Sequence, residues 1–274
     1  MERPTTFADL MDLGWTQFYA KSKSVPTHRS EQRALLAIIP PATRLEDITS
    51  DLVADVAQQW LAEGASAKTV NRKLSMLSRL LRWAWRRGWI AQMPWIDRPK
   101  ESRGRLRWVT DEELEQLLRI LPVEIGDLVL FLANTGCRLS EALKMEWGQI
   151  DWEKQVVHLW ETKSGYPRTV PLNEDALASL RNREDDRVDG GPFADLYQQR
   201  VQYFWSQARK QMGLEQDREF VLHALRHRVA SRLVQRGVHL LVVKDLLGHR
   251  KIETTLRYAH LSPESLVDAV RLLN

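Results

Sequence analysis

Apolar residues recur at helical spacing through the first hundred positions. Thr6 reads as a cap before Phe7, Leu10, Met11, Trp15 and Phe18, which predicts a helix over residues 6–20. A second apolar set, Leu35, Leu36, Ile38 and Ile39, stops at Pro40-Pro41. A third helix is expected from Thr49 or Ser50, carrying Leu52, Val53, Val56, Trp60 and Leu61 until Gly64 ends it. The fourth, from Ser66 to about Arg87, divides sharply. At about 100° per residue, Lys68, Arg72, Arg79, Arg82 and Arg86 fall within roughly 40° of one direction, and Val70, Leu74, Leu77, Leu81 and Ala84 point the other way. Trp83, Trp85, Trp89 and Trp95 gather at its end and read mostly as packing residues.

From Pro94 to Arg107 the pattern is lost to Pro, Gly and charge, the signature of a linker. Thr110-Asp111-Glu112-Glu113 then fits a capping box opening a helix through Leu117 and Leu118. An apolar run from Leu128 to Ala133 is broken by Thr135-Gly136, which sets Arg138 at a helix start with Glu141 on the same face. Such a pair is often only a structural ion pair. Residues 151–172 change period. Val156, Val157, Leu159 and Trp160, then Thr169, Val170 and Leu172, predict short strands joined through Lys163-Ser164-Gly165-Tyr166-Pro167. Lys163 falls at the turn, where a lysine is either solvated or, at the tip of a hairpin in a groove, able to deliver a proton. The run Glu184 to Gly191 is expected as an acidic surface loop, followed by a helix from about Tyr197 to Met212. Near the end, Ser262 and Pro263 start a helix with Leu266, Val270 and Leu273 in a narrow stripe. The expected architecture is mainly α with a small antiparallel β-sheet in the second of two domains. The boundaries are 1–93 for a helical bundle, 94–107 for a basic linker and 108–274 for the second domain, with its last helix at about 262–274.

Composition narrows the function. The chain has 274 residues, 43% of them apolar, enough for roughly two domains with cores. It has neither a signal-like apolar run at the N-terminus nor a stretch near eighteen apolar residues, so secretion and membrane spanning are not expected. The single cysteine, Cys137, excludes an intrachain disulfide or thiolate cluster and fits a reducing, cytoplasmic compartment. The net charge of +4 is unevenly held: residues 1–100 carry 15 Lys and Arg against 10 Asp and Glu, whereas 101–274 carry 25 against 26. Between Lys68 and Arg107 stand 12 basic residues and 2 acidic ones, Arg103 and Arg105 among the basic, a footprint suited to a polyanion. A merely solvated stripe is the bland alternative.

The chemistry concentrates between His223 and Tyr258. His223 and Arg226 are three apart, so on a helix both reach one small target, and His227 follows. Leu247-Gly248-His249 comes next, then Thr254-Thr255-Leu256-Arg257-Tyr258. A tyrosine with a reference pKa near 10 becomes a nucleophile only among cations and a proton acceptor, and this segment supplies both. His223 and His227 are also spaced like a zinc-protease pair, but Ala224 stands where that motif places its general-base glutamate, so no metal is expected.

In order and spacing, His223-x-x-Arg226-His227, Leu247-Gly248-His249 and Tyr258 resemble the carboxy-terminal signature of the tyrosine recombinases, or phage-type integrases. Upstream, Thr135 to Glu141 is similar to the family's first arginine motif and Thr162-Lys163-Ser164-Gly165 to its hairpin lysine, so the resemblance covers about 108–260. It implies a SAM-like amino-terminal core-binding domain, here using Lys68, Arg72, Arg79, Arg82, Arg86, Arg103 and Arg105 on DNA, and a carboxy-terminal catalytic domain. It also implies site-specific strand cleavage and rejoining by Tyr258 through a 3′-phosphotyrosine, without cofactor or metal. Arg138 and Arg226 would hold the non-bridging oxygens, Lys163 would protonate the leaving 5′ oxygen, His223 would accept a proton, His249 would donate a hydrogen bond and Glu141 would support. The implied partners are double-stranded DNA and further copies of the chain, a tetramer in the synapse, with the last helix passed to a neighbour. A tyrosine-type topoisomerase, or a relative that binds DNA without chemistry, are the alternatives. Arg228 departs from the pattern, where threonine is usual, and is expected to add a phosphate contact or a surface charge.

Overall fold

Thr6 caps the first helix, α1 (Phe7–Gly14), by accepting from the Asp9 amide, while the Asp9 carboxylate accepts from the Thr6 amide. In the computed structural model, which describes residues 3–22, 24–101, 104, 106–160, 167–185 and 189–262, the chain forms two compact units, Met1–Gly104 and Arg105–Asn274. The helix expected over 6–20 continues past α1 as a π turn, Trp15–Tyr19. The first unit adds α2 (Val25–Ile38), α3 (Ser50–Ala62) and α4 (Ala67–Arg86), the last two capped by Thr49 and Ser66. Val70, Leu74, Leu77, Leu81 and Ala84 of α4 are buried, against a core that includes Phe7, Leu10, Leu35 and Trp60. The basic residues on the opposite face are exposed, as the 3.6-residue period requires.

One expectation for this region needs correcting, and two stretches of it are engaged by partners that composition did not indicate. Trp83 and Trp89 do pack, edge to face at 4.9 Å, but Trp85 is 47% exposed and Trp95 77% exposed, so the four tryptophans are not one core cluster. The stretch read as linker begins bound to α4: the Asn71 side chain donates to the Pro99 carbonyl (2.9 Å) and Glu101 (2.8 Å), and Arg98 donates to the Asn71 carbonyl and Ser75. Arg107, counted in the basic footprint, is occupied within the second unit by Glu113 and Asp217.

The second unit starts with α5 (Asp111–Ile120), whose Thr110–Glu113 capping box is formed. Its centre is α6 (Val123–Thr135), buried on most sides and packed on α8 (Glu174–Asp185) and α10 (His223–Gln235). After the single turn α7 (Leu139–Ala142), strands β1 (Ile150–Asp151), β2 (Val156–Leu159) and β3 (Arg168–Pro171) make an antiparallel sheet in that order, with Val157 opposite Val170 and Leu159 opposite Arg168. Buried Val157, Leu159 and Val170 explain its alternation. The chain continues through α9 (Gln198–Gln211), α10, α11 (Leu240–Leu247) and the short α12 (Glu253–Leu256). The run expected as an acidic surface loop is divided: Glu184 and Asp185 finish α8, while Gly191 is buried against the backbone of Met145. The hairpin residues 161–166 with Lys163, the linker residues Arg103 and Arg105, and the helix expected after Ser262 lie outside the described residues. Among the described residues no helix is long and apolar enough to cross a membrane.

Arg228 also departs from expectation. It is 5% exposed, and its guanidinium donates to the Val109 carbonyl (3.1 Å) and to Asp111, which Arg232 approaches as well at 2.9 Å. It ties α10 to the start of α5 instead of meeting solvent or phosphate.

Candidate active site

The site forms where α6 ends, α10 begins and α11 ends. Gly136 closes α6 in the left-handed conformation (φ 65°), and a Cβ there would lie 2.6 Å from a Leu247 methyl. This tight turn delivers Arg138 to the start of α7, where the Glu141 carboxylate accepts from the Arg138 amide (2.9 Å) and its guanidinium (2.6 Å). Glu141 is buried. Burial alone would raise its pKa, but hydrogen bonds from Arg168 and the Arg138 amide outweigh that and hold it at about 2.

Successive carbonyls at the end of α11 each take one arginine. Leu246 accepts from Arg168 Nε at 3.1 Å, Leu247 accepts from Arg226, and Gly248 accepts from Arg138 at 3.3 Å. Carbonyls at a helix C-terminus have no intrahelical donor and carry the negative end of the helix dipole, so they suit a row of guanidiniums. Arg226 also donates to the Gly136 carbonyl at 2.6 Å. It is 2% exposed; burial, then Arg138 and Arg168, lower its pKa to about 10, which leaves it charged at neutral pH. Arg168 donates to both oxygens of Glu141, at 3.1 and 2.7 Å.

Tyr258 is 1% exposed and its hydroxyl meets His227 Nδ1 at 2.6 Å. Burial raises the phenol pKa, opposed by Arg257 and Arg226. His227 is held at about 3, by burial first and then by His223, Arg257, Arg226 and His249, so its ring is neutral, and in the tautomer protonated at Nε2 its Nδ1 accepts the phenol hydrogen. His223, at the first position of α10, stands edge-on to His227 with ring centroids 4.8 Å apart. His249 Nδ1 pairs with Thr255 Oγ1 at 2.8 Å; burial and then Arg226 and Arg138 take its pKa to about 4. Two histidines depressed partly by arginines report the same thing, a strongly positive pocket that would welcome an anion.

The fold thus brings together Arg138, Glu141, His223, Arg226, His249 and Tyr258 of the residues expected from sequence. Two functional candidates were not assigned a role there. His227 lies inside the quoted motif, and its four-residue offset from His223 puts it on the same helix face. Arg168 sits among strand residues, and only its pairing with a buried carboxylate from another element distinguishes it. Among the described residues no cluster of three or more His, Cys, Asp or Glu could hold a metal. On the first unit, Lys68, Arg72, Arg79, Arg82 and Arg86 share the exposed face of α4. A cleft of about 490 Å³ beside it is lined by Arg79, Arg82, Arg86, Arg98, Phe18 and Trp83. Arg72 also bonds buried Glu31 at 2.8 Å, and Arg79 lies over the Phe18 ring at 4.5 Å, so these two are partly committed to the fold.

Residues 107–265 match the phage integrase family and residues 18–88 match the phage integrase N-terminal SAM-like domain. The chain belongs to the phage integrase family, the tyrosine recombinases. It is 31% identical over 229 residues to the integrase of Salmonella phage P22, a match covering 77% of this chain and 58% of that one. It is 29% identical to tyrosine recombinase XerD of Pseudomonas aeruginosa, with 82% of each chain covered. The fold is similar to that of the Tn1549 transposon integrase in complex with a circular intermediate DNA, with TM-score 0.82, 17% identity and 98% of both chains covered. It is also similar to a lambda integrase dimer bound to a COC′ core site, with TM-score 0.78, 22% identity and coverage of 95% of this chain and 79% of that one.

Proposed function

We propose that this chain is a site-specific DNA recombinase that cuts and rejoins strands through Tyr258. The observation that carries the reading is the buried Tyr258 hydroxyl bonded to His227 at 2.6 Å, in a pocket whose arginines are fixed on the carbonyls ending α11. The tyrosine oxygen attacks a DNA phosphorus, the P–O5′ bond breaks, and the 3′ phosphate is left on the tyrosine. Arg138 and Arg226 each present guanidinium donors to the non-bridging oxygens, and remain charged throughout. Lys163 gives a proton to the leaving 5′ oxygen, and His249 and His223 add hydrogen bonds to the phosphate.

His227, rather than His223, takes the phenol hydrogen. Its protonation is disfavoured by burial first and then by neighbouring charges, and a phosphate placed between the arginines offsets the latter. Proton acceptance therefore improves only when substrate is in place. The phosphotyrosine conserves the energy of the broken bond, so rejoining needs no nucleotide cofactor.

Double-stranded DNA is the substrate, held by the exposed face of α4 together with Arg103 and Arg105. Structural neighbours include a lambda integrase tetramer bound to a Holliday junction, and the same assembly is proposed here for strand exchange between two sites. The test uses two differently labelled duplexes carrying the target site. The parent protein is expected to yield products with exchanged ends, and Tyr258→Phe none while still binding DNA. Relaxation of plasmids without exchange would instead indicate a topoisomerase.

A further inference from the structure

Glu141 is shared by two arginines in unequal ways. The Arg168 guanidinium reaches it with two nitrogens, at 3.1 and 2.7 Å, while the Arg138 guanidinium reaches it with one, at 2.6 Å, beside the Arg138 backbone amide at 2.9 Å, and turns another nitrogen to the Gly248 carbonyl. Arg168 is 8% exposed and Glu141 2% at the side chain, so this pair is shielded from solvent, whereas Arg138 keeps 20% of its side chain open. In such surroundings a carboxylate and a guanidinium neutralise each other strongly, since little water screens them. The Arg168 stem also packs where a side chain on Gly248 would collide with it, 2.9 Å from Cδ, so its route beside the end of α11 is sterically set.

We propose that Arg168 is a positioning residue that takes up the charge of Glu141, so that the cleavage arginine Arg138 stays oriented by that carboxylate without being neutralised by it. This rests on the reading of Arg138 as a phosphate ligand. With Arg168 present, two arginines share one carboxylate and Arg226 stands on backbone carbonyls, so a net positive charge remains for the scissile phosphate. Without it, Glu141 turns wholly to Arg138, and the same carboxylate then competes with phosphate for that guanidinium. Arg168 needs no contact with DNA for this. Because Arg168 is the first residue of β3, its Nε bond to the Leu246 carbonyl also fixes that strand on the α11 carbonyl row.

The test is single-turnover cleavage of a nicked site duplex by the full chain, with site binding measured in parallel. Arg168→Met is expected to bind DNA like the parent but to form covalent adduct roughly 100-fold more slowly, the loss expected when one charged phosphate ligand is silenced. Adding Glu141→Gln to that variant removes the competing charge and is expected to restore cleavage at least about tenfold. A purely structural Arg168 would give the opposite result, a double variant no faster than Arg168→Met, and that overturns the proposal; so does an Arg168→Met that cleaves at the parent rate. Should Arg168→Met be unfolded by its circular dichroism, Arg168→Lys takes its place. It keeps a cation on Glu141 and should cleave within about tenfold of the parent, and a folded Arg168→Lys as inactive as Arg138→Met would refute the idea. A parent protein that forms no adduct at all would count against the recombinase reading itself.

Discussion

Arg226 shows how much a single side chain is asked to do. Its fork is anchored on the carbonyls of Gly136 and Leu247, and an ammonium could not satisfy both while still facing phosphate. For Arg226→Lys, cleavage in single turnover should therefore fall by 100-fold or more, about 3 kcal/mol of transition-state stabilisation, with site binding retained. A near-normal rate would take Arg226 out of the chemistry. His227 gives a second case. His227→Asn places an amide oxygen near the position of Nδ1 and should retain more cleavage than His227→Phe, which offers the phenol no acceptor; equal rates for the two would mean that the 2.6 Å contact is incidental.

The titrating groups point the same way on stability. Glu141 at about 2 lies below its ordinary 4.5, so its stabilisation is complete above pH 4.5 and is lost as pH falls towards 2. His227 and His249, at about 3 and 4 against an ordinary 6.5, resist protonation in the fold. The unfolded chain then binds the protons, and each histidine removes up to ~1.4 kcal/mol per pH unit as pH drops below 6.5. The urea midpoint should be level above pH 6.5 and decline between pH 6.5 and 4. A midpoint unchanged from pH 7 to 5 would contradict the burial of these two rings.

At the scale of elements, the end of α11 organises the site, since its last carbonyls receive Arg168, Arg226 and Arg138 in turn. That row could not be read from the sequence, because carbonyls are common to every residue and only the fold decides which donors reach them. What was legible had a local signature. The 3.6-residue period separated the buried and basic faces of α4, Thr110 and Glu113 announced the α5 cap, and Gly136 marked the break ahead of Arg138. Misreadings came where a long-range partner overrode composition. Arg228 was drawn inside by Asp111 and the Val109 carbonyl, and a residue beside Pro and charge, Arg98, was held on α4 by Asn71 and Ser75. Gly136→Ala tests the element that local signals did identify. It demands a left-handed alanine and a displaced Leu247, so a loss of about 1–2 kcal/mol or more in urea unfolding is expected, along with slower cleavage. Unchanged stability would mean the turn is not constrained.

For the whole molecule, the basic face of α4 belongs to Met1–Gly104 and Tyr258 to Arg105–Asn274. Affinity and catalysis should therefore be separable by mutation. Replacing Arg79, Arg82 and Arg86 by alanine should reduce the slope of log affinity against log salt by roughly 3, about one for each phosphate contact removed, with cleavage of saturated complexes little changed. An unaltered slope would move the DNA contact away from α4. The claim on which everything else depends is that Tyr258 becomes joined to DNA. The direct measurement is to trap the adduct on a nicked site duplex, digest it, and locate the nucleotide-bearing peptide by mass spectrometry. The expected adduct is a 3′-phosphonucleotide on the tyrosine within Thr254 to Leu261; an adduct on any other residue would rule out Tyr258 as the nucleophile.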